Sequence, residues 1–358
     1  MNITHVITTI ERGGAEKAVL SLAIAQAKYG HRVRVIPLKG ITELADNFLV
    51  NNIEVELGTL NQNPLTQIKF LKKKLRASEI VHAHLPRAEL ISRIAFGKNP
   101  LVITRHNSEK FFPKVPHFMS SLFSRWVTQN ASVIAISQSV LDFLRLNREL
   151  HTECNATVIY YGYEAKRELE VKSKPPDYRN GIKLGTISRL TAQKNLSLFI
   201  QFVSDQVANG REVSAHIVGA GPMKIDLQNL VHNLGLSDRI YFLGKLDEVF
   251  PFLEDLDFFL LTSNYEGFGL ALLEAFDCNV PVIASNVTSI PEVLGANHPG
   301  LFTRGSIDSL TLVFDKLFNS KKLRKETLIM QKNRLLFFSM GKYLTSHNSL
   351  YLSHRNRA

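Results

Sequence analysis

Two cysteines, Cys154 and Cys278, are all that the 358 residues contain. They stand far apart without a CxxC partner, which argues against a disulfide scaffold or a thiolate zinc site and fits a reducing cytoplasm. No apolar run reaches the roughly 18 residues that a membrane span requires. The opening Met1-Asn2-Ile3-Thr4-His5-Val6 lacks the basic and apolar regions of a secretory signal. Glycine patterns are also incomplete. Gly13-Gly14 after the first apolar run is not GxGxxG, and Gly219-x-Gly221 lacks a third glycine, so neither carries a nicotinamide fingerprint.

What is present is ordinary for a globular chain, 45% hydrophobic and 21% charged, and the length suits two domains. The net charge of +11 is unevenly spread. Residues 1–165 hold 20 Lys/Arg against 13 Asp/Glu, residues 166–315 hold 13 against 18, and residues 316–358 hold 10 against 1. Basic blocks at the two ends point to a polyanionic neighbour, the plain alternative being a solvated basic surface. No nucleic-acid motif accompanies them, so an anionic membrane surface is expected rather than DNA or RNA.

Strand-like runs at 2–8, 32–37, 53–57, 80–84, 101–104, 133–137 and 157–160 alternate with helical stretches, the pattern of a parallel doubly wound sheet. Gly13-Gly14 occupies the turn between the first strand and a helix over 15–29, where backbone can approach a ligand, though a tight turn asks for the same residues. A basic helix over 65–76 sets Lys69, Lys72, Lys73, Lys74 and Arg76 beside Ile68, Phe70, Leu71 and Leu75. It suits either a membrane-surface helix or a solvated face. His82, His84 and His106 fall at carboxyl ends of strands. His82-x-His84 lacks a third ligand in the sequence, so no metal is expected. His106, flanked in a loop by Arg105 and Asn107, is the ligand candidate.

Residues 166–181 read as a linker, with Pro175-Pro176 and Asn180-Gly181 at its end. A first domain over 1–165 and a second over 182–335 follow from it. The second repeats the alternation, with strands at 182–187, 214–218, 240–245, 257–261 and 281–285. After the fourth of these comes Glu266-Gly267-Phe268-Gly269-Leu270, opening an apolar helix that contains Glu274. A carboxylate there is costly unless something pairs with it. The loop after the first of these strands carries Arg189 and Lys194. Loops at the carboxyl edge of such a sheet bind ligands, and helix starts favour anions. Two cations and a helix start would hold a diphosphate, with bidentate contact from arginine. A buried Arg189–Glu274 ion pair is the purely structural reading.

These pieces together resemble a family 4 retaining glycosyltransferase of the GT-B fold. The resemblance runs along nearly the whole chain: Gly13-Gly14-Ala15-Glu16, Ser188-Arg189-Leu190…Lys194-Asn195, Val218-Gly219-Ala220-Gly221-Pro222, Glu266-Gly267-Phe268-Gly269-Leu270…Glu274-Ala275, and Pro281-Val282-Ile283-Ala284. It implies two Rossmann-like domains facing a cleft, acceptor in the first and nucleotide sugar in the second, with a C-terminal helix over 336–358 crossing back to the first domain. It implies that Arg189 and Lys194 bind the diphosphate and stabilise it as it leaves, and that Glu274 accepts from the ribose hydroxyls. It places Glu266 and His106 at the donor sugar, Phe268, Gly269 and Leu270 offering N–H groups, Gly14 near diphosphate and acceptor, and Gly244 near the base. Asn279 stands where the family has glycine. Tyr161 and Tyr163 replace its usual pattern around Gly162, and neither departure falls on a proposed ligand contact.

The implied activity is metal-independent, retaining transfer of a hexose or N-acetylhexosamine, most simply from a UDP-sugar, to a lipid-linked saccharide. The setting would be cell-surface polysaccharide or lipopolysaccharide assembly, on the inner face of the plasma membrane, with no cofactor. A sugar-nucleotide 2-epimerase on the same fold is the alternative. Intact Arg189, Lys194, Glu266 and Glu274 argue against a silent binding subunit.

Overall fold

A computed structural model describes residues 1–166 and 181–355, so most of the stretch read as a linker lies outside the described residues. The chain divides into two compact units, Met1–Glu164 with Phe338–Ala358, and Ala165–Phe337.

The first unit runs β1 (Asn2–Ile7), α1 (Gly14–Lys28), β2 (Arg32–Pro37), α2 (Ala45–Leu49), β3 (Glu54–Val55), α3 (Pro64–Lys74), β4 (Ile80–His84), α4 (Pro86–Phe96), β5 (Val102–Arg105), α5 (His117–Thr128), β6 (Ser132–Ala135), α6 (Gln138–Leu146) and β7 (Asn155–Val158). Its strands form one parallel sheet in the order β3-β2-β1-β4-β5-β6-β7. Helix starts follow local chemistry. Asn63 caps α3 by accepting from the Thr66 N–H, with Pro64 at the first helical position, and Ser137 caps α6 through the Val140 N–H.

The second unit runs β8 (Ile182–Ile187), α7 (Leu196–Ala208), β9 (Val213–Val218), α8 (Lys224–Asn233), β10 (Ile240–Gly244), α9 (Phe250–Glu254), β11 (Phe258–Leu261), α10 (Leu270–Asp277), β12 (Val282–Ser285), α11 (Ile290–Leu294), β13 (Leu301–Phe302), α12 (Ile307–Asn319) and α13 (Lys321–Phe337). Its sheet is also parallel, in the order β10-β9-β8-β11-β12-β13. Helices cover both faces, so its central strands are apolar throughout: all four residues of β11 and of β12 are buried. Asn279 follows α10 at φ +57°, the left-handed position where a helix commonly ends on glycine, and asparagine tolerates it. The departure from the family pattern therefore keeps the same backbone.

In both sheets the chain winds outward in two directions from a central pair, β1/β4 and β8/β11. Open α/β sheets of this order bind their ligands outside the carboxyl edge at such a pair.

The chain ends in α14 (Met340–Arg355), which belongs to the first unit and packs on α1. Tyr351 is fully buried there, His354 bonds Ser132 at 2.8 Å, Asn348 bonds His31 at 3.0 Å and Arg355 pairs with Glu79 at 3.0 Å. The basic helix α3 turns Leu71 and Gln67 inward, and Lys74 is held by Glu56. To solvent α3 presents Lys69, Lys72 and Lys73 with Leu65 at its start, a face that suits a solvated helix and a membrane surface alike.

Candidate active site

The loops after β8 and β11 meet because their strands are neighbours. After β8 the chain makes one short 3₁₀ turn, Ala192–Lys194, and passes through Asn195 at φ +45° into α7. The loop after β11 is tied to it at several points. Thr262 Oγ1 donates to the carbonyls of Lys194 and Asn195, the Asn264 N–H bonds Gln193 O at 2.8 Å, and Gln193 Nε2 donates to Tyr265 O at 2.9 Å. Lys194 Nζ and Glu266 Oε1 stand 2.5 Å apart, with side chains only 14% and 6% exposed. Ser263 Oγ donates to the same carboxylate oxygen at 2.6 Å.

Glu266 is held from behind by residues that the sequence reading missed. Its N–H donates to Thr288 Oγ1, which donates in turn to Glu266 O, both at 2.8 Å, and Ser289 Oγ donates to the same carbonyl. Thr288 sits at φ +41°, a strained position for a β-branched residue, and these bonds hold it there. The signal available in sequence was its place in the loop after β12, on the same sheet edge.

Arg189 is exposed, and its guanidinium meets Gln193 Oε1 at 3.4 Å. The buried Arg189–Glu274 pair considered as a structural alternative does not form. Glu274 lies one turn into α10, half-buried. Phe268 turns its ring into the core, and Gly269 takes φ +91° as the N-cap of α10. The opening N–H groups of α10, through Leu270, precede Leu272, whose N–H bonds back to Gly269 O. Two hydroxyl oxygens of the β8 loop, Ser188 Oγ and Thr191 Oγ1, are buried without a hydrogen-bond partner. Unsatisfied polar atoms beside an exposed arginine suit a polar anion that would bond them.

Gly219 explains why the Gly-x-Gly stretch resembles a nucleotide motif without being one. It has φ +136°, and a Cβ there would lie 1.9 Å from Ser188 O. Its N–H donates to Gly244 O at 2.7 Å. Gly244, Gly219 and Ser188 thus stack backbone on backbone across the edges of β10, β9 and β8. Gly219→Ala is expected to cost about 2–4 kcal/mol by the combined clash and backbone strain. A thermal melt would report it, and an unchanged melting temperature would contradict this packing.

In the first unit, Gly14 is the first residue of α1, and a Cβ on it would meet nothing within 4 Å. His106 ends a hydrogen-bonded chain. The register pairs His5 with His82, and Ile7 with His84, putting all three histidines on one face of the sheet. Gln26 Oε1 accepts from His5 Nε2 at 2.8 Å, so neutral His5 accepts at Nδ1 from His84 Nε2 at 2.9 Å. His84 Nδ1 then accepts from His106 Nε2 at 3.1 Å, and His106 Nδ1 from the Tyr161 hydroxyl at 2.5 Å. In the other direction Gln26 Nε2 donates to Tyr351 OH, which donates to His82 Nδ1, and His82 Nε2 donates to Thr104 Oγ1. Every donor finds an acceptor with all four histidines neutral. Burial pushes His5 down to about 4, His106 to about 3, and His82 and His84 well below the ordinary range.

Ring nitrogens of His5, His82 and His84 lie within 4.8 Å of one another, a spacing that a metal would accept. All six nitrogens already have protein partners, so a metal would have to displace these bonds. The substitution at Tyr161 does touch a proposed ligand residue, contrary to the sequence expectation, because its hydroxyl holds His106. Arg105 does not line the His106 loop either. It is buried between Glu89 at 2.9 Å and Glu149 at 3.0 Å.

Residues 12–167 match the model for "Glycosyltransferase Family 4", and residues 168–332 match that for "Glycosyl transferases group 1". The chain is 27% identical over 311 residues to N-acetyl-alpha-D-glucosaminyl L-malate synthase of Bacillus anthracis, covering 80% of each chain. It is 30% identical over 204 residues to the O-antigen biosynthesis glycosyltransferase WclY of Escherichia coli, a match spanning only 54% of each. Among solved structures, Anabaena Alr3699/HepE in complex with UDP superposes with a TM-score of 0.81 at 21% identity, over 99% of this chain and 100% of that one. The two parallel sheets are those of the GT-B fold, and the chain belongs to the glycosyltransferases of family 4.

Proposed function

We propose that this enzyme transfers a hexose or N-acetylhexosamine from a UDP-sugar to a lipid-linked saccharide, with retention and without a metal, in cell-surface glycan assembly at the inner face of the plasma membrane. The observation that carries this reading is the Lys194–Glu266–Ser263 cluster at the β8/β11 switch point, with Arg189 in the same loop. UDP complexes of the similar Anabaena protein favour a uridine donor, and the O-antigen relative favours a surface glycan.

The second unit takes the donor. Arg189, Lys194 and the start of α10 receive the diphosphate, and the two cations neutralise charge as it leaves. Ser188 and Thr191 give their unpartnered hydroxyls to the same group. Glu266, fixed by Thr288 and Ser289, faces the sugar, Glu274 accepts from the ribose hydroxyls, and Gly244 lies by the base. The first unit takes the acceptor near Gly14. A sugar hydroxyl would replace Tyr161 on His106 Nδ1. Retention follows if the leaving phosphate oxygen takes the acceptor proton on the face it departs from.

Binding and hydrolysis measured across UDP-, GDP- and ADP-sugars test the assignment, and silence with all of them overturns it. Chelator should leave the rate unchanged. Glu274→Ala is expected to weaken UDP binding about ten- to hundredfold through lost charge-assisted hydrogen bonds, read by calorimetry. Equal affinity would remove Glu274 from the site.

A further inference from the structure

Helix α5 is built inside out. Its buried side is Ser120, Ser121, Ser124, Val127 and Thr128, while Phe118, Met119, Leu122, Phe123 and Trp126 face solvent. At 3.6 residues per turn these five fall within an arc of roughly 140°. Phe118 is 66% exposed and Leu122 61%. The inner hydroxyls have a structural task that accounts for them. Ser124 Oγ bonds Glu149 and receives Arg105, Ser121 Oγ donates to Asn147 O, and Thr128 Oγ1 donates to Ser124 O. On the outer face Phe123 meets the ring of Phe112 edge-on, which leaves Phe118, Met119, Leu122 and Trp126 as its solvent-facing apolar surface. A solvated helix normally places such residues inward.

Asn147 also accepts from His117 Nε2, which brings the end of α6 beside the start of α5. There Leu146 is 84% exposed and adds to the same apolar surface. The border is mostly cationic: Lys110, Lys114 and Arg125 on one segment, Arg145 and Arg148 next to Leu146, against Glu109 and the exposed Asp142 one turn before Leu146.

We infer that α5, with Leu146, is the surface by which this protein lies on an anionic bilayer. Aromatic and aliphatic side chains on one helix face, ringed by cations, suit the boundary between headgroups and acyl chains. Cations at that depth draw anionic lipid, whereas a second copy would bring like charges together. Among the described residues no helix is long and apolar enough to cross a membrane, so the contact is peripheral. It rests on the lipid-linked acceptor reading only for the reason the enzyme visits the bilayer.

The sole tryptophan of the chain, Trp126, lies in this surface and serves as its own reporter. Vesicles of phosphatidylcholine with 30% phosphatidylglycerol should blue-shift its emission, and brominated acyl chains should quench it. Pure phosphatidylcholine should do neither. Phe118→Ser/Leu122→Ser should lower vesicle binding in sedimentation about tenfold while UDP binding by the second unit stays unchanged. Replacing Lys69, Lys72 and Lys73 of α3 by glutamate should weaken binding less. An emission spectrum indifferent to anionic vesicles overturns the inference. So does a shift that follows protein concentration without lipid, the sign of self-association, or full vesicle binding by the double variant. Vesicle binding without binding of any nucleotide sugar leaves α5 standing and removes the donor assignment instead.

Discussion

Lys194→Ala is expected to lower turnover by about two to three orders of magnitude, because the diphosphate would leave without the cation nearest Glu266. The same change should also destabilise the second unit. Lys194 and Glu266 form a pair that is nearly out of water, and removing one partner of such a pair costs about 3–5 kcal/mol by stranding the other. Ser263 keeps one hydrogen bond to the carboxylate and tempers the loss. The two effects separate in the double variant. Lys194→Ala/Glu266→Ala should recover much of the melting temperature and none of the turnover. Single-turnover rates and thermal melts on the three variants decide it: wild-type kinetics in Lys194→Ala would remove Lys194 from the chemistry.

The first unit should unfold steeply in mild acid. His5 and His347 are held at about 4 and His106 at about 3, with His82 and His84 lower than usual too, all by burial. Each titrates near 6.5 in an unfolded chain. The unfolded state therefore binds more protons, and stability falls as pH drops from about 6.5 toward 4. Glu89 acts in the opposite sense. Burial raises it to about 7, so the folded state binds its proton first and gains between pH 4.5 and 7. Five histidines against one carboxyl leave a net uptake of roughly four protons near pH 5.5, several kcal/mol per pH unit. Thermal melts from pH 7.5 to 4.5 should show this slope. His5→Gln with His84→Gln should flatten it even if both lower the starting stability. A melting temperature independent of pH over that range would mean that the chain of neutral rings is not formed in solution.

The strands were legible because parallel strands between helix layers are unbroken apolar runs. Segments 32–37 and 182–187 have the observed bounds, and 80–84 does too. The short β13 and the five-residue helices α2 and α9 carry too little pattern to read, and the last helix, placed at 336–358 by the family resemblance and not by composition, runs over Met340–Arg355. Lys194 and Glu266 could be matched from sequence because both sit in loops on one sheet edge. The histidine chain could not. Its links join residues 79 and 269 positions apart, and only the β1–β4 register and the return of α14 bring them together. Thr288 and Ser289 read as ordinary loop residues, and their role depends on a backbone strain that no sequence pattern announces.

Tyr351 bridges Gln26 and His82, and α14 fills a face of the first sheet with residues from the far end of the chain. On the ribosome the first unit would thus emerge early yet wait, its histidines uncovered, until the whole of the second unit has been translated. The second unit, contiguous over Ala165–Phe337, needs no such delay and would be free to fold first. Completion of the two units would then run opposite to their order of synthesis.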